Sequence, residues 1–402
     1  MRVIIIGGGI IGALSAYYLG RGGASVTLLE RADDLAAETS GMNGDQLSYS
    51  YLSPLGNPAI YGLLRKTILG GMEDVKVTQW LDPQLWSWGL RLFFNSSQAK
   101  YAAHQEKLLA LSLRSRALMA AFLQEHKVNF DHAENGKLHL YTSPEQADTA
   151  KKFAARLAEL GIEQKFLTPD QCLELEPALK NRKGTLAGGM LSPIDAVGDC
   201  GAFTRALPNL WGPNVQSRTG DTVKKIHVEA GKFKHVETEV GEIIEADACL
   251  VCAGAYSYQI LKTAGIYVSL YPVKGYSVTL ENSGIELKRN VTDHLRRAVF
   301  APVGDKLRVA GFMHFSGYDK SVAPRTQAVF TRMIADVFPD ARIAVPALAS
   351  GFRPYTPQST PMTGETRIKG LHVNIGHAML GWTLAHATCE KAAHAILAPQ
   401  AF

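Results

Sequence analysis

The chain has 402 residues, 46% of them hydrophobic and 20% charged, a composition typical of a folded globular protein and not of a disordered one. The formal charge of +5 reflects 42 basic and 37 acidic residues without a basic stripe, so the charge gives no support for a nucleic-acid partner. No apolar run reaches the roughly 20 residues of a membrane span, and the length favours two domains over one.

The chain begins with a pattern that predicts a β-α-β unit. Four β-branched residues at positions 3–6 favour a buried strand. Apolar residues at helical spacing from position 10 favour a helix that ends at Gly22 and Gly23. A second strand is predicted over residues 24–29.

The turn after the first strand has the spacing G-x-G-x-x-G, at Gly7, Gly9 and Gly12. In a dinucleotide site these glycines make a tight turn, let a pyrophosphate approach the backbone and allow the helix to pack closely on the strand. The helix N-terminus, at Ile10 and Ile11, then faces the phosphates. We therefore predict a dinucleotide site, with a packed β-α-β unit and chance glycines as the alternative.

Two charged residues close the second strand. Glu30 is placed to accept hydrogen bonds from ribose hydroxyls of a dinucleotide. Arg31 follows it and is predicted either to flank the adenosine or to be an ordinary solvated arginine.

The five cysteines are scattered and odd in number, which favours a reducing compartment and hence a cytoplasmic location. Cys249 and Cys252 have the spacing of a redox pair, but they fall in a predicted buried strand that runs into a glycine turn. We therefore predict core cysteines, with a redox pair as the alternative. The 12 histidines are dispersed, and no His/Cys cluster has metal-ligand spacing, so no metal site is predicted.

Further elements are predicted from periodicity along the rest of the chain. In order they are a polar loop at 31–53, a helix at 100–126, a strand at 136–142, a helix at 145–160, a hairpin at 223–228 and 233–240, strands at 247–254, 271–280 and 307–315, a helix at 327–338 and a β-α unit at 371–397.

Dinucleotide-type features thus occur at both ends and near residues 247–254, so the stretches between them must be insertions. The predicted class is α/β, or α+β for the whole chain. A nucleotide-binding domain is expected from residues 1–50, 185–260 and 350–402, and a second domain from residues 51–184 and 261–349.

Four stretches beyond the opening unit carry a resemblance to one family. They are TSGMNG at 39–44, YPVKGYS at 271–277, GFRPYTPQSTP at 351–361 and GHAMLGWT at 376–383. The sequence resembles, nearly end to end, the D-amino acid oxidase superfamily of FAD enzymes, and within it the bacterial D-amino acid dehydrogenases. The resemblance implies a Rossmann-like FAD-binding domain and a discontinuous substrate domain built on an antiparallel sheet.

The resemblance also implies a reaction. A hydride would pass from the Cα of an amino acid to flavin N5, leaving an imino acid that water hydrolyses to a 2-oxo acid and ammonia, while a quinone or another acceptor takes the electrons. Residues 194–197 and 42–46 depart from the usual pattern, which leaves the handedness of the substrate open. The alternatives are an L-amino acid or proline/hydroxyproline dehydrogenase or oxidase on the same fold, and a non-catalytic flavin subunit of an electron-transfer complex.

The resemblance assigns candidate residues to the substrate. Arg353 matches the family's carboxylate-binding arginine, and its planar fork suits a carboxylate. Tyr276, His314 and Tyr51 are candidates for a second polar contact, and each has a structural role as the alternative. Met379 is expected to line the pocket for the substrate side chain or to be core.

For the cofactor, the resemblance implies noncovalent FAD, because no cysteine stands where sarcosine oxidase relatives attach their flavin. The last helix is expected to point its N-terminus at the flavin C2 carbonyl, where it would stabilise negative charge on the reduced ring. The further residues implied to contact FAD are Ser40, Asn43, Gly44, Val223, Ala253, Gly254, Gly376, His377, Leu380, Gly381, Trp382 and Thr383.

One aromatic stretch, at residues 80–94, stays outside this scheme. A stretch of this kind is more often core or a partner interface, and contact with a membrane surface or an electron acceptor is the alternative. A peripheral position on the inner face of the cell membrane and an oligomeric state are therefore both left open.

Overall fold

The structure, a computed structural model, describes residues 1–58, 62, 74–341 and 344–397. Its strands are β1 (Arg2–Ile6), β2 (Ser25–Leu29), β3 (Gln46–Leu47), β4 (Val75–Val77), β5 (Lys137–Tyr141), β6 (Lys165–Leu167), β7 (Gly188–Ser192), β8 (Ala196–Val197), β9 (Val215–Arg218), β10 (Val223–Glu229), β11 (Lys232–Thr238), β12 (Ile243–Glu245), β13 (Ala248–Val251), β14 (Tyr271–Leu280), β15 (Asn290–Asp293), β16 (Ala298–Val303), β17 (Lys306–Phe315), β18 (Ala349–Tyr355), β19 (Met362–Glu365) and β20 (Leu371–Ile375). Its helices are α1 (Ile10–Arg21), α2 (Pro83–Phe94), α3 (Gln98–Glu125), α4 (Pro144–Ala158), α5 (Pro169–Leu175), α6 (Cys200–Ala206), α7 (Ser257–Thr263), α8 (Pro324–Val337) and α9 (Gly381–Leu397).

The first large sheet has six strands in the order β19-β20-β13-β1-β2-β9. All neighbours pair in parallel except the edge pair β19 and β20. Parallel strands covered on both faces favour apolar β-branched residues, and β1, in the interior of the sheet, is made almost entirely of them. The predicted β-α-β unit is confirmed, with α1 between β1 and β2.

Both faces of this sheet are covered. Helices α1 and α9 pack on one face in a common core, and the small sheet β10-β11-β12 packs on the other together with α7. Cys249 and Cys252 are buried in these two cores and are not joined by a disulfide. The prediction that they are core cysteines is confirmed.

The second large sheet has nine strands. Eight follow the order β18-β14-β17-β16-β15-β5-β7-β6, and β4 pairs with β17. The pairs are antiparallel, except that β5 runs parallel to β15 and β4 runs parallel to β17. Helix α8 packs its apolar side on this sheet, where Phe330 and Ile334 join the same core as Phe300 and Val309.

Capping residues set the helix ends that periodicity located only approximately. Helix α3 starts at residue 98 because the Ser97 hydroxyl accepts a hydrogen bond from the Lys100 N–H. Helix α8 starts at Pro324, which fits the first turn of a helix. Helix α2 was not predicted, although its capping residue Asp82 and Pro83 together form a helix-start signal.

The boundaries of the two predicted domains stay a prediction. The chain passes from one large sheet to the other in these regions. Strands β7 and β18 lie in the nine-stranded sheet, whereas β9 and β20, which come later in the chain, lie in the six-stranded one. In the part of the chain that the structure describes, no helix has the length and apolar character needed to cross a membrane.

Candidate active site

A cavity of about 1200 Å³ is lined by residues of both large sheets. It reaches from the glycine turn after β1 to strands β14 and β17 of the nine-stranded sheet. Pockets for a drug-sized ligand usually measure roughly 300–1000 Å³, so this cavity has room for a dinucleotide together with a small substrate.

The cavity brings most of the predicted site residues together. Those on its wall are Gly7, Gly9, Ile10, Ile11, Glu30, Arg31, Ser40, Asn43, Gly44, Tyr51, Val223, Ala253, Gly254, Tyr276, Arg353, His377, Met379, Leu380, Gly381 and Trp382. Four others lie off the wall, namely Gly12, His314, Gly376 and Thr383. The roles predicted for all of them stay predictions.

The glycine turn is too crowded for side chains. Gly7 has a φ of +109°, and a Cβ there would lie 2.7 Å from the carbonyl oxygen of Cys252. A Cβ at Gly12 would lie 1.8 Å from the carbonyl oxygen of Gly7. Gly12 therefore acts from behind the wall, by letting α1 pack against the turn.

The N-terminus of α1 faces the cavity, and its N-cap residue, Gly9, has no side chain that could cap it. Ser40 reaches over from the following loop, and its hydroxyl accepts a hydrogen bond of 3.0 Å from the Ile10 N–H. A helix N-terminus carries partial positive charge and free N–H groups, so this end of the cavity suits an anionic group such as a pyrophosphate.

Glu30 is held in place by the backbone. Its carboxylate accepts hydrogen bonds from the Gly8 N–H at 2.5 Å and from the Ala32 N–H at 2.8 Å. These bonds fix the carboxylate at the end of β2 while it still lines the cavity.

Arg31 is partly exposed and also makes defined contacts beside the cavity. Its guanidinium lies 3.8 Å from the ring centroid of Tyr256 and pairs with Glu38 at 2.6 Å. Lys320 binds the other carboxylate oxygen of Glu38 at 2.6 Å, so a small ion-pair network closes this part of the wall.

The first turn of α9 forms another part of the wall, through Gly381 and Trp382. Thr383 lies behind them, where its hydroxyl accepts a hydrogen bond of 3.0 Å from the Ser48 N–H. Gly376 has a φ of +83°, and a Cβ there would lie 2.5 Å from Thr356. Glycine is therefore required at 376 by the backbone and by its neighbour.

Arg353 stands on β18 and reaches across the sheet. Its Nη1 donates a hydrogen bond of 2.7 Å to the carbonyl oxygen of Phe312 on β17, and no carboxylate among the described residues pairs with it. Burial lowers the pKa of this guanidinium from its ordinary value. A cation that lines a cavity without an acidic partner is suited to bind an anionic ligand.

Tyr276 and His314 form one unit. A hydrogen bond of 2.8 Å joins the Tyr276 hydroxyl to His314 Nδ1. Burial raises the pKa of Tyr276 to about 12, so its hydroxyl stays protonated at neutral pH. Only the tyrosine lines the cavity, so the histidine orients it from behind.

Tyr51 and Met379 occupy two other parts of the wall. The ring of Tyr51 lies 4.6 Å from that of His139, and burial raises its pKa to about 12. Met379 is 49% exposed, so it is not a core residue.

Sequence reasoning missed part of the wall, including Gln46, Lys137, Thr292 and Gly275. A lysine inside a predicted strand was the available signal for Lys137, because alternation places it and His139 on one face. Gly275 lies in the YPVKGYS stretch that carries the family resemblance, but the sequence assigns it no role. Its importance follows from the side chain of Arg353, which crosses it from the next strand. No group of acidic, histidine and cysteine side chains able to hold a metal ion occurs within the described ranges.

A glycine turn of the dinucleotide-binding type at one end of the cavity, and an arginine on a facing sheet with no acidic partner in the described ranges, are features expected of a dinucleotide-dependent oxidoreductase. The chain belongs to the DAO family, described as FAD dependent oxidoreductase, whose model matches residues 2–395. The prediction of the family and of FAD as cofactor is confirmed.

Similarity to individual proteins of this family extends this finding. The chain is 34% identical to a D-amino acid dehydrogenase of Rhizobium johnstonii over 96% of this chain and 93% of the relative. It is 35% identical to a D-amino acid dehydrogenase of Dechloromonas aromatica over 98% and 97%. A crystal structure of glycine oxidase from Geobacillus kaustophilus has the same fold, with a TM-score of 0.77, 22% identity and coverage of 98% of this chain and 94% of that one.

Proposed function

We propose that this protein catalyses the FAD-dependent oxidative deamination of D-amino acids and passes the electrons to a carrier. The observation that carries the proposal is the placement of Arg353, a cation that no acidic side chain of the described residues pairs with, in the same cavity as the glycine turn. The names of the relatives, which share about a third of the sequence over nearly the whole chain, support D-amino acids as the substrates.

The substrate carboxylate binds the guanidinium of Arg353. A guanidinium donates two parallel hydrogen bonds to a carboxylate, so it fixes the direction of the amino acid and not only its charge. Tyr276, whose hydroxyl is oriented by His314, donates a second hydrogen bond. Orientation of the Cα–H bond is the main contribution of the protein, and no side chain is assigned an obligatory acid or base role.

The wall fits FAD on its own geometry. The glycine turn leaves backbone open to the cavity where a side chain would clash, and the N-terminus of α1, whose N-cap is a glycine, lies beside it. These groups would hold the pyrophosphate, Glu30 the ribose, and the first turn of α9 the flavin ring. Bound FAD supplies the acceptor for the hydride removed from the substrate.

FAD is held without a covalent bond in this proposal. Among the five cysteines, only Cys252 lines the cavity, and it lies beside the glycine turn, at the end that would hold the pyrophosphate. Acid precipitation of the protein should release all yellow colour into the supernatant. Colour retained in the pellet would contradict this point.

A quinone is the proposed electron acceptor. We propose that the protein takes up this quinone at the surface of an anionic membrane. Helix α2 exposes a row of apolar side chains, and three of them, Trp86, Leu90 and Phe93, also line the cavity. An exposed apolar surface that adjoins a redox cavity is suited to an acceptor that partitions into lipid.

Anaerobic reduction of the bound flavin tests the activity. The purified protein is mixed without oxygen with D- and L-forms of several amino acids, with glycine and with proline and hydroxyproline, and the absorbance of oxidised flavin near ~450 nm is followed. Loss of absorbance with D-forms alone supports the proposal. Loss with L-forms or prolines would replace the substrate class. No loss with any of them would favour a non-catalytic flavin subunit.

A further inference from the structure

Strand β17 is interrupted by a β-bulge opposite Gly275 of β14. The residues on either side of this glycine, Lys274 and Tyr276, have Cα partners that are three positions apart on β17. Gly275 therefore faces two residues of β17, Phe312 and Met313. An extra residue on one strand of an antiparallel pair disturbs the ladder and bends that strand, and such bulges are frequent beside active sites.

The backbone of Phe312 is left-handed at this bulge, with a φ of +61°. Of the non-glycine residues with a positive φ in the described part of the chain, Phe312 is the only aromatic one and the only one inside a strand. A bulky side chain is strained in this region, because its Cβ comes too close to the following carbonyl oxygen. Strain of this kind persists only where the surroundings hold it, and it concentrates at functional sites.

The ring and the carbonyl group of Phe312 make different contacts. The ring is buried in the core below α8, with its centroid 5.1 Å from that of Phe330. The carbonyl oxygen accepts the 2.7 Å hydrogen bond from Arg353 Nη1. A phenylalanine in an ordinary strand conformation also packs on one face of a sheet, so the packing of the ring does not by itself account for the left-handed backbone.

The carbonyl of Phe312 is what fixes the direction of the Arg353 guanidinium. Arg353 stands on β18 and crosses β14 to reach this carbonyl on β17. Its side chain makes no other hydrogen bond within the described ranges, so four of its five N–H donors are left for a ligand. The guanidinium is planar, and the direction of this one hydrogen bond therefore decides how the rest of the fork faces the cavity.

We propose that the left-handed bulge is a positioning device, in which Phe312 aims the guanidinium of Arg353 at the substrate carboxylate through its backbone and not through its ring. This inference rests on the proposed function and deepens it. Phe312 is thus a positioning residue that acts through Arg353, and the bulge, together with the missing side chain at residue 275, gives the arginine its place on the cavity wall.

The test compares two variants of identical composition. Phe312→Leu and Phe312→Ile place apolar side chains of equal size in the core, but isoleucine is β-branched and is less compatible with a positive φ. Valerate, a carboxylate without an amino group, is titrated into the FAD-loaded protein, and its dissociation constant is read from the change in flavin absorbance. Valeramide measures binding without the carboxylate. We expect Phe312→Ile to bind valerate about threefold to tenfold more weakly than Phe312→Leu, with valeramide equal in both.

Phe312→Gly gives the opposite test, because it removes the ring but adopts a positive φ without strain. It should unfold at a lower temperature than Phe312→Ile or Phe312→Leu if the ring stabilises the core, yet it should bind valerate more tightly than Phe312→Ile does. Weaker valerate binding by Phe312→Gly than by Phe312→Ile would assign the effect to the ring and refute the inference. If Phe312→Gly does not fold, the comparison of Phe312→Leu with Phe312→Ile still decides.

Coupling to Arg353 separates positioning from a general effect on the cavity. In the Arg353→Met background there is no guanidinium to aim, so adding Phe312→Ile should leave the valerate dissociation constant unchanged. A general distortion of the cavity would weaken valerate by the same factor with and without Arg353, and that result would refute the inference. Flavin content and the resting flavin spectrum are measured in each variant, so that a change in FAD binding is recognised as such.

The remaining outcomes separate this inference from the proposed function. Equal binding of valerate by Phe312→Leu and Phe312→Ile, in a protein whose wild type prefers valerate to valeramide, would refute the inference alone. A wild type that binds valerate no more tightly than valeramide would remove the carboxylate clamp itself, and with it both the inference and the proposed role of Arg353.

Discussion

The guanidinium of Arg353 lies against the backbone of Gly275 on the neighbouring strand, and a Cβ added at residue 275 would come within 2.6 Å of Arg353 Cζ. The two residues are not directly opposite in the register, because Arg353 pairs with Val273. The arginine therefore runs diagonally across β14, and the missing side chain at residue 275 is what lets it reach the cavity.

Gly275→Ala should displace Arg353 without disturbing FAD. The glycine lies on β14 of the nine-stranded sheet, whereas the glycine turn follows β1 of the six-stranded one, so FAD content should stay near the wild-type level. A misplaced carboxylate clamp can cost about 100-fold in rate, so the rate of anaerobic flavin reduction per unit of substrate should fall by roughly that factor. Gly89→Ala is the matched control, because a Cβ there meets no atom within 4 Å. Equal rates in the two variants would contradict the proposed role of Arg353.

The glycine turn predicts a graded effect on stability and a loss of FAD binding. Gly12→Ala places a Cβ 1.8 Å from a backbone oxygen, whereas Gly9→Ala meets only the Ser40 hydroxyl at 3.0 Å. Gly12→Ala should lose FAD and about 1–3 kcal/mol of stability. Gly9→Ala should lose less stability, but it should also weaken FAD binding, because residue 9 lines the cavity where a pyrophosphate would approach the backbone. Flavin content and thermal unfolding would measure the two effects. The reverse order of stability would show that close packing of α1 is not what holds the turn.

The residue pattern within single segments predicted most of the helices and strands. The residue types in two short motifs also pointed to the glycine turn and to Arg353, which lie in different parts of the cavity. The glycine spacing, the apolar run of β1 and the arginine of the GFRP stretch can each be recognised from a few consecutive residues. The positions of Gly275 and Lys137 in the cavity wall cannot be recognised in this way. Their surroundings come from strands brought together by the register of the sheet, such as β14 beside β18 and β5 beside β15. No pattern along the chain contains that register, so the neighbours of these two residues could be found only in the folded protein.

Buried histidines should make the protein sensitive to acid. His386 is buried and hydrogen-bonded to the Tyr18 hydroxyl at 2.9 Å, and burial lowers its pKa to about 3. Between about 6.5 and this value the unfolded chain binds a proton that the folded protein does not, so stability falls as the pH falls. From pH 7 to pH 5 the loss is about 2 kcal/mol for this group.

His386→Phe keeps a ring in the same core and removes the titration. The variant should lose about 2 kcal/mol less than the wild type between pH 7 and pH 5, as measured by denaturant unfolding at both values. Asp45 and Asp195, whose pKa values burial raises to about 6, act in the opposite direction but are common to both proteins. Parallel losses in the two proteins would show that His386 is not neutral in the folded state.

Helix α2 should bind anionic lipid vesicles. Trp86 and Leu90 are each 60% exposed and Phe94 is 63% exposed. Replacing all three with serine should weaken co-sedimentation with such vesicles by roughly tenfold, because the apolar area available for insertion is lost. The matched control replaces three exposed apolar residues elsewhere, Leu160, Val240 and Tyr267. Equal losses in the two triple variants would argue against a specific role of α2.

The most direct test of the account compares a D-amino acid with its carboxamide as reductants of the bound flavin, without oxygen, in the wild type and in Arg353→Met. The acid and the amide differ in the charge and the hydrogen-bond acceptor capacity of the group that Arg353 is proposed to bind. The wild type should be reduced by the acid at least about 100-fold faster than by the amide at equal low concentration, and Arg353→Met should lose this preference while keeping its FAD. A wild type that treats acid and amide alike, or an Arg353→Met variant that keeps the preference, would contradict the assignment of this cavity as a site for amino acid oxidation with Arg353 as its carboxylate clamp.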